Sequence, residues 1–586
     1  MVKIFKYLKP REWLLVVVSL AFIAAQVWLD LRLPEYMSEI TRLTQTPGSE
    51  ISDIWIAGGN MLLCAVGSLA TAIIIGYFAS KIGASFSQRL RSRMFSKVES
   101  FSMEEINGFS TSSLITRSTN DITNVQMLVV MGLQVVIKAP IMAVAAITKI
   151  AGKGLEWTMV TGTGVLIMFI AAILLLIFVM PKFKRMQILT DNITRVTREN
   201  LNGLRVVRAY NAEDYQEDKF ENANEELTGT QLFTNRAIAI MMPLMNIMMS
   251  GLSLAIYWIG ASLINEAGID DKLTIFSNMV VFSSYAVQVI MSFMMIIMIF
   301  VMLPRASVSA KRINEVLNTK PKILDGSATA GKPGVAGEVV FKSVSFQYPD
   351  AAEPVLEDIS FTAEQGQTVA FIGSTGSGKS TLINLIPRLF DVTEGEVLVD
   401  GVNVKDYKQE SLFSKIGYVP QKAVLFKGTV ESNVAYGDNG GEEYDINDIK
   451  KAVQIAQGTE FVEKMDGGYS ASIAQGGTNV SGGQKQRLAI ARAVCRKPEI
   501  YIFDDSFSAL DYKCDRMLRS ELKKETSGVT SLIVAQRIGT IMDADQIIVL
   551  DEGRIVGKGT HKELLRECGV YKEIAMSQLS EEELAS

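Results

Sequence analysis

TVAFIG (368–373) leads straight into Gly373-Ser374-Thr375-Gly376-Ser377-Gly378-Lys379-Ser380-Thr381 and then into an apolar helix start. The run before the turn is β-rich and the turn itself fits the GxxxxGK[ST] pattern. Glycines let consecutive backbone N–H groups close around phosphate oxygens, and the helix that follows presents its electropositive end to them. Lys379 then reaches the terminal phosphates, and the Ser380 hydroxyl suits Mg²⁺. Strand before and helix after make a chance match to this pattern rare.

Farther along, a second β-rich run, EIYIFDD (499–505), ends in carboxylates where a phosphate-loop enzyme needs one to hold Mg²⁺ through water. Asp504 is that residue. A phosphate loop with a distal acidic strand admits kinases, GTPases and motors alike. Between the two lies Val480-Ser481-Gly482-Gly483-Gln484-Lys485-Gln486-Arg487, a Ser-Gly-Gly turn that opens a helix, LAIARAV. From Glu338 onward short β-rich runs alternate with helical ones, the pattern of a soluble α/β domain.

Upstream the composition changes. Of the 586 residues 48% are apolar and only 21% charged, and the mean hydropathy is +0.22. About 20 apolar helical residues cross a bilayer core roughly 30 Å thick, and six stretches meet that length, near 12–33, 55–78, 128–150, 157–180, 236–265 and 274–303. The first follows Lys3, Lys6, Lys9 and Arg11, but five further spans make it an anchored helix rather than a cleaved signal peptide. Lys and Arg crowd the second-to-third and fourth-to-fifth connections, which places those connections and the N-terminus in the cytoplasm of a multi-pass protein. The charged segments at 85–127 and 181–235 keep helical periodicity, so helices project well beyond the membrane. The transmembrane domain then covers 1–318, a Gly/Pro/Ser/Lys-rich linker 319–337, and the α/β domain 338–586.

The formal charge of −5 leaves no nucleic-acid footprint. Cys64, Cys495, Cys514 and Cys568 lack the spacing of a zinc site or a disulfide framework. The single histidine, His561 in KGTHKELL, is read as a solvated or structural residue.

With all of these motifs in order, the chain resembles the ABC transporter family along essentially its whole length. The resemblance implies a helical transmembrane domain of six long helices fused to an α/β nucleotide-binding domain, with ATP and Mg²⁺ as cofactors. It makes Ser481, Gly482, Gly483 and Gln484 a signature turn that closes over the ATP of the opposite subunit, so two such domains sandwich two nucleotides. It makes Tyr348, in SFQYPD, similar to the aromatic that stacks on adenine, and Gln421, in GYVPQ, similar to the glutamine that senses Mg²⁺. Asp511, in Ser508-Ala509-Leu510-Asp511, lies in the loop that crosses between the two sites. GFSTSSLITRSTNDI (108–122) and ENLNGLRVVRAYNAED (199–214) resemble the segments that form coupling helices, near 108–118 and 205–214.

Two positions depart from the family. Where a hydrolytically competent member carries a glutamate after the acidic-strand aspartate, this chain has Asp505, one methylene shorter. Where the switch segment carries a histidine, SLIVAQRIGTI (531–541) has Gln536. Loss of a positioned acid/base typically costs roughly 10²–10⁴ in rate. The pattern is that of a site which binds ATP and hydrolyses it poorly. It resembles one subunit of bacterial heterodimeric exporters in the cell membrane, whose partner is a homologous half-transporter with a catalytic glutamate. The alternatives are a homodimeric lipid or peptide exporter and an ATP-gated membrane protein without active transport.

Cargo is read from the spans alone. Methionines cluster at Met241, Met242, Met245, Met248 and Met249 and at Met291, Met294, Met295 and Met298. Flexible thioethers suit a cavity that repacks around hydrophobic drugs or other lipophilic compounds, the cargo of a multidrug exporter, although lipid-facing or helix-packing methionine is the more common case. Gln134, Lys138, Asn246 and Gln288 are costly in lipid and are expected to face the cavity or another helix, while Asp30 and Arg32 are read as interfacial.

Overall fold

The computed structural model describes residues 2–46, 48–151, 155–437, 444–525 and 528–579. Its contacts divide the chain into two units, Met1–Glu99 with Thr111–Thr319, and Ser100–Ser110 with Lys320–Ser586.

The first unit is helical. Its long helices are α1 (Pro10–Gln45) and α2 (Ile51–Glu99), and a seven-residue helix, α3 (Met103–Phe109), follows them in the chain. Then come α4 (Thr111–Thr116), α5 (Ile122–Met131) and α6 (Lys138–Ala151), and beyond them α7 (Leu155–Asn202), α8 (Leu204–Ala209), α9 (Glu213–Glu266) and α10 (Ile269–Asn318). Five described helical stretches are long and apolar enough to cross a membrane: Pro10–Gln45, Ile51–Glu99, Thr111–Ile150, Glu213–Glu266 and Asp271–Ile296. The span expected at 157–180 falls within α7, where the described apolar stretch is Glu156–Ala171. At about 1.5 Å per residue the 49 residues of α2 run about 74 Å, more than twice the hydrocarbon thickness. The excess length is where the charged residues lie. There α7 and α9 are tied by Arg185 to Glu226 at 2.6 Å and by Lys219 to Glu199 at 3.0 Å.

The stretch from α4 to α6 is continuous but not uniform. Two π-helical turns interrupt it, Arg117–Asp121 and Gly132–Val136. The second has a visible cause, because Pro140 has no N–H for the Val136 carbonyl and its ring crowds that oxygen. The ladder widens ahead of it, and the Ile137 N–H reaches back to the Gly132 carbonyl at 3.3 Å. The first π turn carries the buried Asp121, which accepts from the Ser309 hydroxyl at 2.8 Å and faces Arg312 of α10 at 3.3 Å.

Four of the six clustered methionines whose side chains are described pack into the helical core. Met245 is buried with Met142, Met168 and Met279 in the helical core, and Met248, Met249 and Met294 pack against it. Met291 and Met295 are exposed. The side chains of Met241, Met242 and Met298 lie outside the described residues.

The second unit holds a six-stranded sheet ordered Arg554–Gly559, Gln546–Asp551, Thr368–Gly373, Thr530–Val534, Ile500–Asp504, Ile416–Val419. All neighbouring pairs are parallel except the first. A four-stranded antiparallel sheet, including Val339–Phe346 and Leu356–Ala363, flanks it. The inner strands read as apolar runs, Ile500–Asp504 being buried at every position, as expected for strands covered on both faces. Parallel pairing brings the carboxyl ends of five adjacent strands to one edge, where loops meet ligands in open α/β sheets.

Helix α3 belongs to this second unit. Ser102 and Glu105 form a capping box at its start, and Ser110, at φ 58°, ends it. The Glu105 carboxylate also accepts the backbone N–H of Lys322 at 3.0 Å, and the Lys322 ammonium pairs with Glu104. Burial works against ionisation of Glu105, but the bonds from Ser102 and Lys322 outweigh it and hold its carboxyl below the usual range.

Candidate active site

The phosphate loop leaves the end of Thr368–Gly373 and enters the helix Lys379–Asn384. Gly378 sits at that helix start with φ 93°, a conformation side chains rarely adopt, and a Cβ at Gly373 would run into the Leu550 carbonyl. Lys379 is 9% exposed and folds back over the loop. Its ammonium donates to the carbonyls of Gly373 at 3.0 Å and Ser374 at 2.6 Å and to the Ser377 hydroxyl at 3.2 Å. Burial lowers its pKa, against the pull of Asp505 and Asp504. Thr375 and Gly376 form the exposed rim of this loop. Ser374 reaches Asp551 at 3.2 Å.

Ser380 donates to Asp504 at 2.8 Å. Burial pushes the Asp504 carboxyl up, Ser380 opposing and Asp505 adding to the rise. A buried carboxylate raised in this way gains most from a cation, so the hydroxyl–carboxylate pair fits the donor set of Mg²⁺. Tyr418, which sequence reasoning passed over, lies beside it. Its hydroxyl donates to Asn384 at 3.0 Å, and burial, with the Asp504 charge, pushes its pKa up to about 12.

Asp505 stands at the next position with φ 44° and is buried. Its Oδ2 accepts from two amides, Gln421 Nε2 at 3.2 Å and Gln536 Nε2 at 2.9 Å. The strand order explains the trio. Gln421 follows Ile416–Val419 on one side of Ile500–Asp504, and Gln536 follows Thr530–Val534 on the other. Two donors on one carboxylate oxygen occupy both of its in-plane lone pairs.

Tyr348 packs edge-on against Phe346 and Phe390, and its hydroxyl lies 3.1 Å from that of Thr381. Thr381 is buried in the first turn of the loop helix. Ser481 starts the helix Gly482–Cys495 with a capping box, its Oγ accepting the Gln484 N–H at 3.3 Å while Gln484 Oε1 accepts the Ser481 N–H at 2.8 Å. Ser481 and Gly482 are exposed. A Cβ at Gly483 would come within 3.4 Å of the Ala509 carbonyl, so the Ser481–Gln484 turn abuts the loop that Asp511 ends. Asp511 in turn accepts the Cys514 N–H at 2.9 Å and caps the next helix.

The single histidine is far from this trio in sequence and is buried, its Nδ1 2.7 Å from the Tyr571 hydroxyl. Burial, with the Lys562 charge, lowers its pKa while Asp543 pulls it up. An unfolded histidine takes its proton near pH 6.5, so the stability this neutral ring contributes is fully present above about 6.5. It is lost as the pH falls from there through the lower folded value. Thermal melting followed from pH 7.5 to 5 should drop more steeply for the wild type than for His561→Gln. Equal slopes would remove the ring from that pH dependence.

In the helical unit the structure brings Lys138 and Gln288 to Asp30, which the sequence read as interfacial. Arg32 pairs with Glu35 at 3.0 Å. Gln134 sits within the second π turn, its amide beside Gly76 of α2, and Asn246 is exposed on α9.

Residues 356–508 match the ABC transporter family and residues 14–293 match the ABC transporter transmembrane region. An uncharacterized ABC transporter ATP-binding protein of Mycobacterium tuberculosis is 42% identical over 522 residues, covering 89% of this chain and 87% of its own. The uncharacterized ABC transporter ATP-binding protein YfiB of Bacillus subtilis is 34% identical over 99% of both chains. An ATP-dependent lipid A-core flippase of Pseudomonas aeruginosa is 31% identical over 86% of this chain and 82% of its own. Among solved structures, a bacterial Atm1-family ABC exporter with ATP bound superposes with a TM-score of 0.77 at 23% identity, covering 97% of this chain and 100% of that one, which speaks to the fold.

Proposed function

We propose, from the premise that this chain belongs to the ABC transporter family and carries a transmembrane region fused to a nucleotide-binding domain, that it is the degenerate-site subunit of a heterodimeric exporter. The observation that carries this reading is Asp505 with both amides on one oxygen. A base must bring a free lone pair within reach of the attacking water; here Gln421 and Gln536 take up Oδ2 and hold back a side chain one methylene short, which leaves only Oδ1 for that task. The rest of the site favours binding. Lys379 is poised to exchange two carbonyls for phosphate oxygens, and the loop's N–H groups and helix end supply the cradle. Ser380 and Asp504, with Gln421 beside them, would hold Mg²⁺, which when bound offsets the phosphate charge. Tyr348 offers the aromatic face for the base of the nucleotide.

The signature turn acts in the partner's site. Ser481 and Gly482 lie at an exposed helix start, which offers its electropositive end to the phosphates of the opposite nucleotide. Closure of the two domains on ATP moves α3, which is held to Lys322 by Glu105 and continues into membrane helices on either side in the chain. ATP shifts the transporter outward to the extent that it binds the closed state better. The cargo is hydrophobic or lipophilic and leaves through a bacterial cell membrane, with the N-terminus and the ATP-binding domain on the cytoplasmic side. A second reading, a homodimeric lipid exporter, draws on the flippase relatives.

Gentle extraction of the chain from its native membrane and mass spectrometry of what co-elutes tests the choice. The proposal expects a homologous chain in equal amount, with glutamate aligned to Asp505. Recovery of this chain alone, as a dimer, turns the reading to the homodimer.

A further inference from the structure

Four polar side chains from α1, α2, α6 and α10 meet within the apolar spans. The Asp30 carboxylate accepts from the Lys138 ammonium at 3.1 Å on one oxygen and from the Ser68 hydroxyl at 2.5 Å on the other. Gln288 donates its amide N–H to the Asp30 backbone carbonyl at 3.3 Å. Its Oε1 is buried and, among the described residues, has no hydrogen-bond partner. Lys138 and Asp30 each keep about a fifth of their side-chain surface, 21% and 19%, so the pair is reachable.

Charged groups at this depth are among the costliest to place in lipid and mark cargo pathways when they occur. Lys138 also stands two residues past the Gly132–Val136 π turn that Pro140 imposes, at the start of α6. An inserted residue rotates what comes after it, and such π turns recur at functional sites. A simple strut between α1 and α6 would account for the ion pair. It would not account for Gln288 Oε1, buried and without a partner among the described residues on a side chain whose other amide atom is bonded to the Asp30 backbone.

We infer that this cluster binds the headgroup of a zwitterionic amphiphile carrying a primary ammonium and a phosphate. This rests on the export reading and names its cargo class. The ammonium takes the place of Lys138 on Asp30 and donates a further N–H to Gln288 Oε1, while the phosphate takes the place of Asp30 on Lys138. Charge decides the class. An anionic headgroup captures Lys138 and strands Asp30, and a cationic one captures Asp30 and strands Lys138, whereas a zwitterion leaves neither charge unpaired.

The test reconstitutes the transporter, as isolated with whatever chain it retains, into proteoliposomes holding acyl-labelled phosphatidylethanolamine, phosphatidylcholine or phosphatidylglycerol. ATP-dependent movement of label between leaflets is read alongside extrusion of a hydrophobic dye. The ethanolamine lipid should move roughly tenfold faster than the glycerol lipid, the worth of one charge-assisted hydrogen bond. Gln288→Leu should bring it down to the choline lipid, which has no N–H to give, and Lys138→Gln should erase the preference. Equal loss for all three lipids in Lys138→Gln, with their ratios intact, makes the pair a strut and overturns the inference. A wild type that favours the glycerol lipid overturns it too, as does dye extrusion with no lipid moving. If neither dye nor lipid moves, the export reading beneath it falls as well.

Discussion

Changing Asp505 to Glu and Gln536 to His together raises turnover at this chain's own ATP site by about 10²-fold. The measurement is made in a complex whose partner carries Gln in place of its catalytic glutamate, so that only this site can work. The gain follows from two local changes. Glutamate carries its carboxylate one methylene farther, past the point where Gln421 and Gln536 now hold Asp505 Oδ2. Histidine removes one of those two amides and can place an imidazole at the same strand end. Against this stands a backbone term, because residue 505 has φ 44°, which aspartate tolerates better than glutamate. That term is about 1 kcal/mol of stability, whereas a 10²-fold rate gain is about 2.7 kcal/mol of barrier, so the chemistry prevails. No gain in the double variant would show that something other than these two side chains limits the site.

Ser481→Arg, or Gly482→Asp, abolishes hydrolysis by the unmodified complex, with a loss of about 10²–10³-fold. Among the described residues neither forms a hydrogen bond with this chain's own phosphate loop; both sit at an exposed helix start built by the Ser481–Gln484 box. Arginine removes the cap, worth about 1 kcal/mol of helix stability, and fills the space in front of the helix start. Aspartate puts a negative charge where phosphate oxygens should arrive. ATP binding by this chain, followed with a fluorescent analogue, stays within about twofold in both variants. The reciprocal change at Lys379, to Ala, should instead weaken that binding while leaving the signature turn whole. Retained hydrolysis in the signature variants would mean that this turn completes no site.

Much of this was legible in the chain. The phosphate loop and the Ser481 turn are backbone devices, set by glycines and a cap within nine consecutive residues, and local sequence specifies them. Long apolar helices were legible because length and apolarity are one-dimensional quantities, and five described helical stretches are long and apolar enough to cross a membrane. The two departures from the family, Asp505 and Gln536, were legible as residues but not as an arrangement. Their meeting with Gln421 depends on which strands are neighbours, and strand order is not written in any window of sequence. Asp30 illustrates the same limit. It stands near the end of a span and reads as interfacial until α6, more than a hundred residues later, brings Lys138 to it. The π turn that sets Lys138 has its cause in Pro140, a residue that composition alone presents as a tolerated proline in an apolar helix. Helix α3 begins at the Ser102–Glu105 box, upstream of the hydroxyl-rich stretch near 108–118, within which α4 lies.

The central claim is asymmetry: this chain's site keeps ATP while the partner's consumes it. The complex isolated from its native membrane is loaded with radiolabelled ATP and Mg²⁺, allowed one turnover, stripped of free nucleotide and analysed for what remains bound, with photocrosslinking to assign each nucleotide to a chain. The account predicts one ATP and one ADP per complex, the ATP crosslinked to this chain through its phosphate-loop domain. ADP recovered in equal measure on both chains, or on a dimer of this chain alone, would contradict it.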